Sequence, residues 1–275
     1  MRCTIGIDIG STYTKAVVLD EARELAGRGM VPTGFRLEQA ARTALDAALE
    51  DARVPAADID YTATTGYGRN QVSFRDVQAT DLTADAWGTR WFFPDTRTVL
   101  DIGGQTMKAM RIDGAGKVLS FRLNDKCAAG TGAFLEKTAR YLGYRLEDIG
   151  KLIADSKQAV SISGVCAVFA ESEVINHVSN GEQPGDIMHG AMASLVEKSV
   201  RLMKRVRMEP QFTLVGGIMR FPTMVAVMRE NLEAGVNVPP EPLVQYTGAI
   251  GAAILARRRF EKLHAERAVA QRTVA

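Results

Sequence analysis

The chain has 275 residues, of which 46% are hydrophobic and 24% are charged, and these ordinary globular proportions exclude an intrinsically disordered protein. Its 34 Lys and Arg residues stand against 32 Asp and Glu residues, and the net charge of +2 gives no charge excess that would indicate binding to nucleic acid or an anionic membrane. The longest uncharged stretches, 242–256 and 158–170, are shorter than the roughly 18–20 residues of a membrane span. Asp8 lies where a signal peptide has its apolar centre. We therefore expect a cytoplasmic protein without nucleic-acid or membrane partners.

The first part of the chain predicts a sheet that opens with a hairpin. Residues 3–9 and 14–20 are apolar segments joined by a Gly-Ser-Thr turn, which is typical of two paired β-strands. Residues 37–52 repeat apolar side chains at helical spacing and predict an amphipathic helix. Residues 61–69 predict a further strand that leads into a glycine-rich loop.

Residues 98–113 repeat the opening layout. Both segments contain Asp-Ile-Gly after an apolar strand, and both have a Lys at the same offset from that Asp. A repeat at about 90 residues is too long for a solenoid and indicates two related halves. We predict a first half over 1–95, with the closing helix 246–275 packed back on it, and a second half over 96–245. Further helices are predicted over 129–143, 188–206, 222–232 and 244–263, and a strand over 212–220.

The two hairpins have the residue types of a nucleotide–metal site. A tight glycine turn directs successive backbone N–H groups at an anion, as phosphate-binding loops do. Asp8 and Asp101 are suited to hold Mg²⁺ through water, because Mg²⁺ favours a few carboxylates together with phosphate oxygens. Short side chains for phosphate oxygens come from Ser11, Thr12, Gln105 and Thr106. A single strand–turn–strand of this kind is also compatible with an ordinary β-turn, and the tandem arrangement favours the nucleotide site.

Two of the three cysteines precede predicted helices. Cys127 and Cys166 lie at helix starts, where the helix N-terminus stabilises a thiolate and favours metal binding. A [4Fe–4S] cluster usually takes four thiolates, so two per chain predict a cluster shared by two subunits. Cys3 lies in the opening strand and is assigned to the core. The alternative is that Cys127 and Cys166 are, like Cys3, small buried apolar side chains.

Three glycine motifs resemble those of a known ATPase superfamily. Asp8-Ile-Gly-Ser-Thr, Asp101-Ile-Gly-Gly-Gln and Leu214-Val-Gly-Gly are similar to the phosphate-1, phosphate-2 and adenosine motifs of the actin/Hsp70/sugar-kinase ATPases. The resemblance implies an α/β fold with two RNase-H-like halves around a nucleotide cleft, and catalytic roles for Asp8, Asp101 and Gln105. The residues that it assigns to the nucleotide are Gly10, Ser11, Thr12, Lys15, Gly103, Gly104, Gly130, Thr131, Gly132, Gly216 and Gly217.

Two segments that contain cysteine resemble one particular family of ATPases. NDKCAAGTGAFLE, from residue 124, and CAVFAESEVI, from residue 166, are similar to signatures of the ATP-dependent electron activases. This family contains activators of 2-hydroxyacyl-CoA dehydratases and ATPase subunits of class I benzoyl-CoA reductases. It implies ATP, Mg²⁺ and an intersubunit [4Fe–4S] cluster held by Cys127 and Cys166. The implied partners are a homologous or identical ATPase subunit, ferredoxin as electron donor, and substrate-reducing reductase or dehydratase subunits.

Three segments bear on the choice between these two reactions. Gly-Gly-Gln-Thr-Met-Lys-Ala over 103–109, and the segments 31–35 and 78–84, are more similar to the smaller ATPase subunit of benzoyl-CoA reductase. We therefore expect an electron-activating subunit of that reductase, with a dehydratase activator as the alternative. A sugar or metabolite kinase of the same fold, which needs no cluster, and a non-catalytic nucleotide-binding regulator are the alternatives from other classes.

Overall fold

A computed structural model describes residues 1–124, 130–163 and 166–274. The chain divides into two compact units, of which the first comprises Met1–Pro94 and Tyr246–Ala275 and the second Asp95–Gln245. Among the described residues, no helix is both long and apolar enough to cross a membrane.

The elements follow in chain order. They are β1 (Cys3–Ile9), β2 (Tyr13–Leu19), β3 (Leu25–Pro32), α1 (Leu37–Ala52), β4 (Ile59–Thr65), β5 (Val77–Gln78), α2 (Asp81–Phe92), β6 (Thr98–Ile102), β7 (Met107–Ile112), β8 (Val118–Asn124), α3 (Gly132–Tyr141), α4 (Ile149–Ala154), α5 (Ala167–Ser179), α6 (Pro184–Arg205), β9 (Phe212–Val215), α7 (Pro222–Leu232), β10 (Val236–Asn237) and α8 (Thr247–Val274).

The first unit is built on a sheet with the strand order β3-β2-β1-β4-β5. Strand β1 pairs antiparallel with β2 and parallel with β4, which confirms the predicted opening hairpin. Successive side chains of a strand point to opposite faces of its sheet. Ile5 and Ile7 of β1 are buried in the same apolar cluster as the α1 side chains. Gly6 between them, and Asp8 beyond, therefore face the opposite side, which α8 covers.

Glycines bring the covering helices of the first unit close to its sheet. A Cβ on Gly6 would lie 2.0 Å from the carbonyl oxygen of Ala249, so only glycine allows α8 to approach β1 this closely. On the other face, a Cβ on Gly29 of β3 would lie 2.3 Å from the carbonyl oxygen of Ala44 in α1. Helix α1 has the predicted bounds, and its buried alanines and leucines form the stripe that faces the sheet.

The second unit repeats this topology. Its strand order is β10-β9-β6-β7-β8, with β6 antiparallel to β7 and parallel to β9. The predicted second hairpin is thereby confirmed. The core of this unit is formed largely by α6, whose buried side chains pack with residues of α3, α4 and α5. Helix α6 begins at Pro184, four residues before the predicted start, because proline is favoured in the first helical turn.

Candidate nucleotide site and cysteine region

The hairpin of the first unit joins a carboxylate to an ammonium group. Asp8 lies opposite Lys15 in the β1–β2 register, and Lys15 Nζ donates to Asp8 Oδ2 at 2.9 Å. The turn is closed by the N–H of Gly10, which donates to the carbonyl oxygen of Tyr13 at 3.2 Å. A Cβ on Gly10 would lie 2.8 Å from that oxygen, so the turn needs glycine here.

The hairpin of the second unit has the same arrangement. Asp101 lies opposite Lys108, and Lys108 Nζ donates to Asp101 Oδ2 at 2.8 Å. The N–H of Gly103 closes the turn on the carbonyl oxygen of Thr106 at 2.8 Å. The repeated offset in the sequence thus corresponds to the same cross-strand ion pair in both sheets.

Each carboxylate is covered by a glycine that follows the neighbouring parallel strand. Gly66, after β4, has a φ of 86°, and a Cβ there would lie 2.4 Å from Asp8 Oδ1. Gly216, after β9, has a φ of 96°, and a Cβ there would lie 2.5 Å from Asp101 Oδ1. Residues other than glycine rarely adopt such backbone angles, and here their Cβ atoms would also collide with the carboxylate. The two glycines therefore hold the chain directly over each Asp.

The predicted phosphate contacts lie at the tips of the hairpins. Ser11, Thr12 and Gln105 are exposed, and Gly104 is half-buried. Hydroxyl and amide groups at such turns are free to approach an anion, while Asp8 and Asp101 behind them offer the hard oxygen ligands that Mg²⁺ prefers. Within the described ranges, no three His, Cys, Asp or Glu side chains are grouped to hold a metal ion by themselves. In each unit taken by itself, the Asp carboxylate fits a Mg²⁺ ion that keeps several water and phosphate ligands.

The segment after the second hairpin packs against its turn. The N–H of Gly132 donates to the carbonyl oxygen of Gly103 at 3.0 Å, and the N–H of Ala133 donates to that of Gly104 at 2.9 Å. The first turn of α3 is therefore hydrogen-bonded to the hairpin, with Thr131 buried as its N-cap residue. At Gly130, a Cβ would lie 2.4 Å from Asn124 Nδ2. The structure thus gives Gly130 and Gly132 packing roles, and their contact with nucleotide stays a prediction.

The two glycines of the adenosine-like motif differ in their surroundings. Gly216 is required by the contact with Asp101 described above. At Gly217 a Cβ would meet a single described atom within 4 Å, Gln245 Oε1 at 3.8 Å. Open space beside the backbone, the property expected for close approach of a nucleoside, is therefore found at Gly217.

Two site residues were missing from the sequence-based set. Lys108 is the counterpart of Lys15, and the repeated Lys offset was the signal that identifies it. Gly66 is the counterpart of Gly216, but a single glycine in a loop rich in glycine carries no local signal of its contact with Asp8.

The cysteines differ in their environment. Cys3 is fully buried, and burial raises the pKa of its thiol from 9.0 to about 11, so it is a protonated core side chain. Cys166 is half-buried and is the N-cap residue of α5, with no side-chain capping hydrogen bond. A metal ligand at this position lies beside the positive end of the helix. Cys127 lies outside the described residues.

Helix α5 is fixed at both faces near its start. Lys137 of α3 forms an ion pair with Glu171 at 2.6 Å, and Glu173 Oε2 accepts from the N–H of Ser163 at 2.5 Å. The two glutamates that follow Cys166 in the sequence therefore orient the helix that carries it. On the same helix, Val168 and Phe169 are 66% and 63% exposed.

Proteins of similar sequence include enzyme activators and one component of a reductase. The activator of lactoyl-CoA dehydratase from Anaerotignum propionicum is 39% identical over 94% of this chain and 99% of that protein. The (R)-2-hydroxyglutaryl-CoA dehydratase activating ATPase from Acidaminococcus fermentans is 37% identical over 94% of this chain and 98% of that protein. One of the subunits of benzoyl-CoA reductase from Thauera aromatica is 35% identical over 96% of each chain.

Solved structures agree with the topology described above. Component A of (R)-2-hydroxyglutaryl-CoA dehydratase from Acidaminococcus fermentans has a TM-score of 0.89 at 35% identity, over 95% of this chain and all of that one. The 2-hydroxyisocaproyl-CoA dehydratase activator from Clostridium difficile, solved with bound ADPNP, has a TM-score of 0.88 at 35% identity, over 96% and 97%. A ROK family glucokinase from Streptomyces griseus, at 18% identity, shares the fold alone, with a TM-score of 0.52 over 93% and 99%. The predicted actin/Hsp70/sugar-kinase ATPase fold is confirmed. The BadF/BadG/BcrA/BcrD ATPase family model matches residues 5–256, and the chain belongs to that family.

Proposed function

We propose that this chain is an ATP-driven activator that transfers low-potential electrons to a 2-hydroxyacyl-CoA dehydratase. The observation that carries the proposal is the pair of matching Asp–Lys hairpins, Asp8 with Lys15 and Asp101 with Lys108, in a chain of an ATPase family. The choice of a dehydratase as the partner rests on the relatives named as dehydratase activators, which are 37% and 39% identical.

The hairpins have a defined role in this function. In each unit by itself, the Asp carboxylate is suited to order Mg²⁺ or its water ligands, and the ion pair with Lys15 or Lys108 keeps that carboxylate in one orientation. Backbone N–H groups and hydroxyls at the turn tips bind phosphate oxygens, with Gln105 at the second tip assigned to the reacting phosphate. Fixed dipoles of this kind stabilise the charge that develops during phosphoryl transfer.

Cys166 is proposed as a ligand of a [4Fe–4S] cluster together with Cys127. The position of Cys166 at the start of α5, half-buried and beside the positive helix end, fits a cluster thiolate. With two thiolates from each chain, the remaining ligands come from a second ATPase subunit. When bound, such a cluster supplies one-electron transfer at low potential. The exposed Val168 and Phe169 are next to this position.

The second candidate function is the ATPase subunit of a class I benzoyl-CoA reductase. The segments 31–35, 78–84 and 103–109 favoured it, and the benzoyl-CoA reductase relative from Thauera aromatica is 35% identical over nearly the whole chain. The two functions differ in their partners. A dehydratase activator is expected as a homodimer that associates transiently, and the reductase ATPase as one of several unlike subunits that stay together.

Anaerobic purification of the native protein with its partners tests the proposal. We expect about four irons per two chains, ATP hydrolysis, and a homodimer that activates a separate dehydratase with a reduced ferredoxin-type donor. Co-purification with unlike subunits that reduce benzoyl-CoA would establish the second function. ATP-dependent phosphorylation of a sugar by protein without iron would contradict both and identify a kinase.

A further inference from the structure

A buried polar cluster lies beside Asp8 on the face of the sheet that α8 covers. Thr65 ends β4 and is the register partner of Asp8 in the parallel β1–β4 pair. Tyr61 and Ala63, at alternate positions before it, pack with α8 side chains, so Thr65 points to the same face. Its side chain is 1% exposed, and no group in the described part of the chain hydrogen-bonds with its Oγ1. A buried hydroxyl without a partner is costly and calls for a ligand or a water molecule.

A second carboxylate reaches the same place from α2. Asp85 is 6% exposed, and its Oδ1 would lie 3.1 Å from a Cβ on Gly248. Asp8 Oδ2 would lie 3.6 Å from that same Cβ. The carboxylates of Asp8 and Asp85 therefore flank one small residue in the first turn of α8, near the positive end of that helix. Two carboxylates this close, with Lys15 as the neighbouring cation, favour a hydrated divalent cation.

The second unit provides an internal comparison. There the register partner of Asp101 is Val215, which is buried and carries no hydroxyl. The ion pair and the covering glycine are common to both hairpins, but at this register position a hydroxyl is present in the first unit and absent from the second. The hydroxyl is therefore not needed to build the hairpin.

We propose that Asp85 and Thr65 are positioning residues that hold water ligands of the Mg²⁺ ordered by Asp8. The Asp85 carboxylate accepts a hydrogen bond from a metal-bound water. The Thr65 hydroxyl hydrogen-bonds with a water of the same shell. This inference rests on the proposed function, in which Asp8 orders Mg²⁺ for ATP. Residues that orient the ligands of a metal without touching it typically change metal affinity by about 10–100-fold when they are removed.

The test measures metal binding separately from catalysis. Mn²⁺ serves as the probe for Mg²⁺, and its binding to the full-length protein with a non-hydrolysable ATP analogue is titrated by electron paramagnetic resonance. We expect Asp85→Asn to weaken Mn²⁺ binding by about 10-fold or more and Thr65→Val to weaken it by a smaller factor. Thr65→Ser, which keeps the hydroxyl, should restore it. Glu50→Gln, on the exposed end of α1, is the matched control for loss of one negative charge.

Thermal unfolding distinguishes a ligand-positioning role from a structural one. Thr65→Val keeps the shape and removes a hydroxyl that has no partner among the described residues, so its melting temperature should equal or exceed that of the wild type. A lower melting temperature, or unchanged Mn²⁺ binding in both Thr65→Val and Asp85→Asn, would overturn the inference. If Asp85→Asn does not fold, the comparison of Mn²⁺ binding by Thr65→Val and Thr65→Ser tests the inference alone. Wild-type Mn²⁺ binding in Asp8→Asn would contradict the proposed function itself. This variant therefore distinguishes failure of the proposed function from failure of the inference about Asp85 and Thr65.

Discussion

Gly216 combines a backbone conformation restricted to glycine with close neighbours at the position of a Cβ. Its φ of 96° and ψ of 164° lie in a region that is essentially restricted to glycine. A Cβ there would lie 2.3 Å from the carbonyl oxygen of Ile102 and 2.5 Å from Asp101 Oδ1. The nearer obstacle is backbone at the end of β6, so it cannot move aside as a flexible side chain does. Gly216→Ala should therefore displace the Asp101 hairpin as well as strain the chain.

The size of the effect follows from two terms. A residue forced into this backbone region costs about 1–3 kcal/mol. Overpacking against fixed neighbours costs about 1–3 kcal/mol more. Taking about 4 kcal/mol as the sum, and about 2–4 °C per kcal/mol for a chain of this size, we expect the melting temperature of Gly216→Ala to fall by roughly 8–16 °C.

The neighbouring glycine supplies the control. Gly217→Ala introduces the same methyl group, and the described atom that it would meet within 4 Å is Gln245 Oε1 at 3.8 Å. Its melting temperature, measured by circular dichroism, should stay close to that of the wild type. Titration with a fluorescent ATP analogue should show weaker binding if the nucleoside approaches Gly217. Equal melting temperatures for the two variants would refute the reasoning about Gly216.

Three further predictions concern the carboxylates and the cysteines. Asp8→Asn and Asp101→Asn should each lower the ATPase rate by at least about 100-fold with an unchanged circular dichroism spectrum, because Mg²⁺ and phosphate lose an ordering group; wild-type turnover would contradict the site. Cys166→Ser should lose iron after anaerobic reconstitution while Cys3→Ala keeps it, as measured by iron analysis. Burial raises the pKa of Cys3 from 9.0 to about 11, so the folded state favours the neutral thiol. The contribution of this pKa difference to the free energy of unfolding is complete below about pH 9 and is lost as the pH rises toward 11. Urea unfolding at pH 8 and pH 10 should show this loss of stability in the wild type and a smaller loss in Cys3→Ala.

The hairpins were predictable because their signals are local. An apolar strand, a glycine turn and a second strand lie within about 16 residues, and the Asp-to-Lys offset directly gives a cross-strand pair once the turn is known. The register pairs Asp8 with Lys15 and Asp101 with Lys108, as the repeated offset implies. Helix α1 was equally accessible, since a 3.6-residue period over four turns has no competing interpretation.

The parts that were missed depend on contacts between distant residues. Strand β3 has Gly27, Arg28 and Gly29 in its interior, and its glycines are explained only by the α1 backbone that packs on them. Gly66 and Asp85 likewise acquire meaning only from Asp8, which lies far away in the sequence. In the sequence alone, Asp85 is one charged residue in a segment that contains both polar and apolar residues. Tertiary packing, and no local propensity, brings these residues beside Asp8.

The duplicated hairpins separate what the architecture requires from what one unit adds. Both units keep the Asp–Lys pair and a glycine of positive φ over the carboxylate, because a buried or half-buried Asp at the end of a central strand needs a fixed counter-charge and a neighbour without a side chain. At the adjoining register position, one unit has Thr65 and the other Val215, side chains of nearly equal volume that differ in one hydroxyl. Packing alone does not distinguish these two residues, since both are buried to the same degree. A hydroxyl that packing does not need is therefore best explained by the chemistry beside Asp8. On the role proposed for Thr65, the first hairpin has one more group that can hold metal-bound water than the second hairpin.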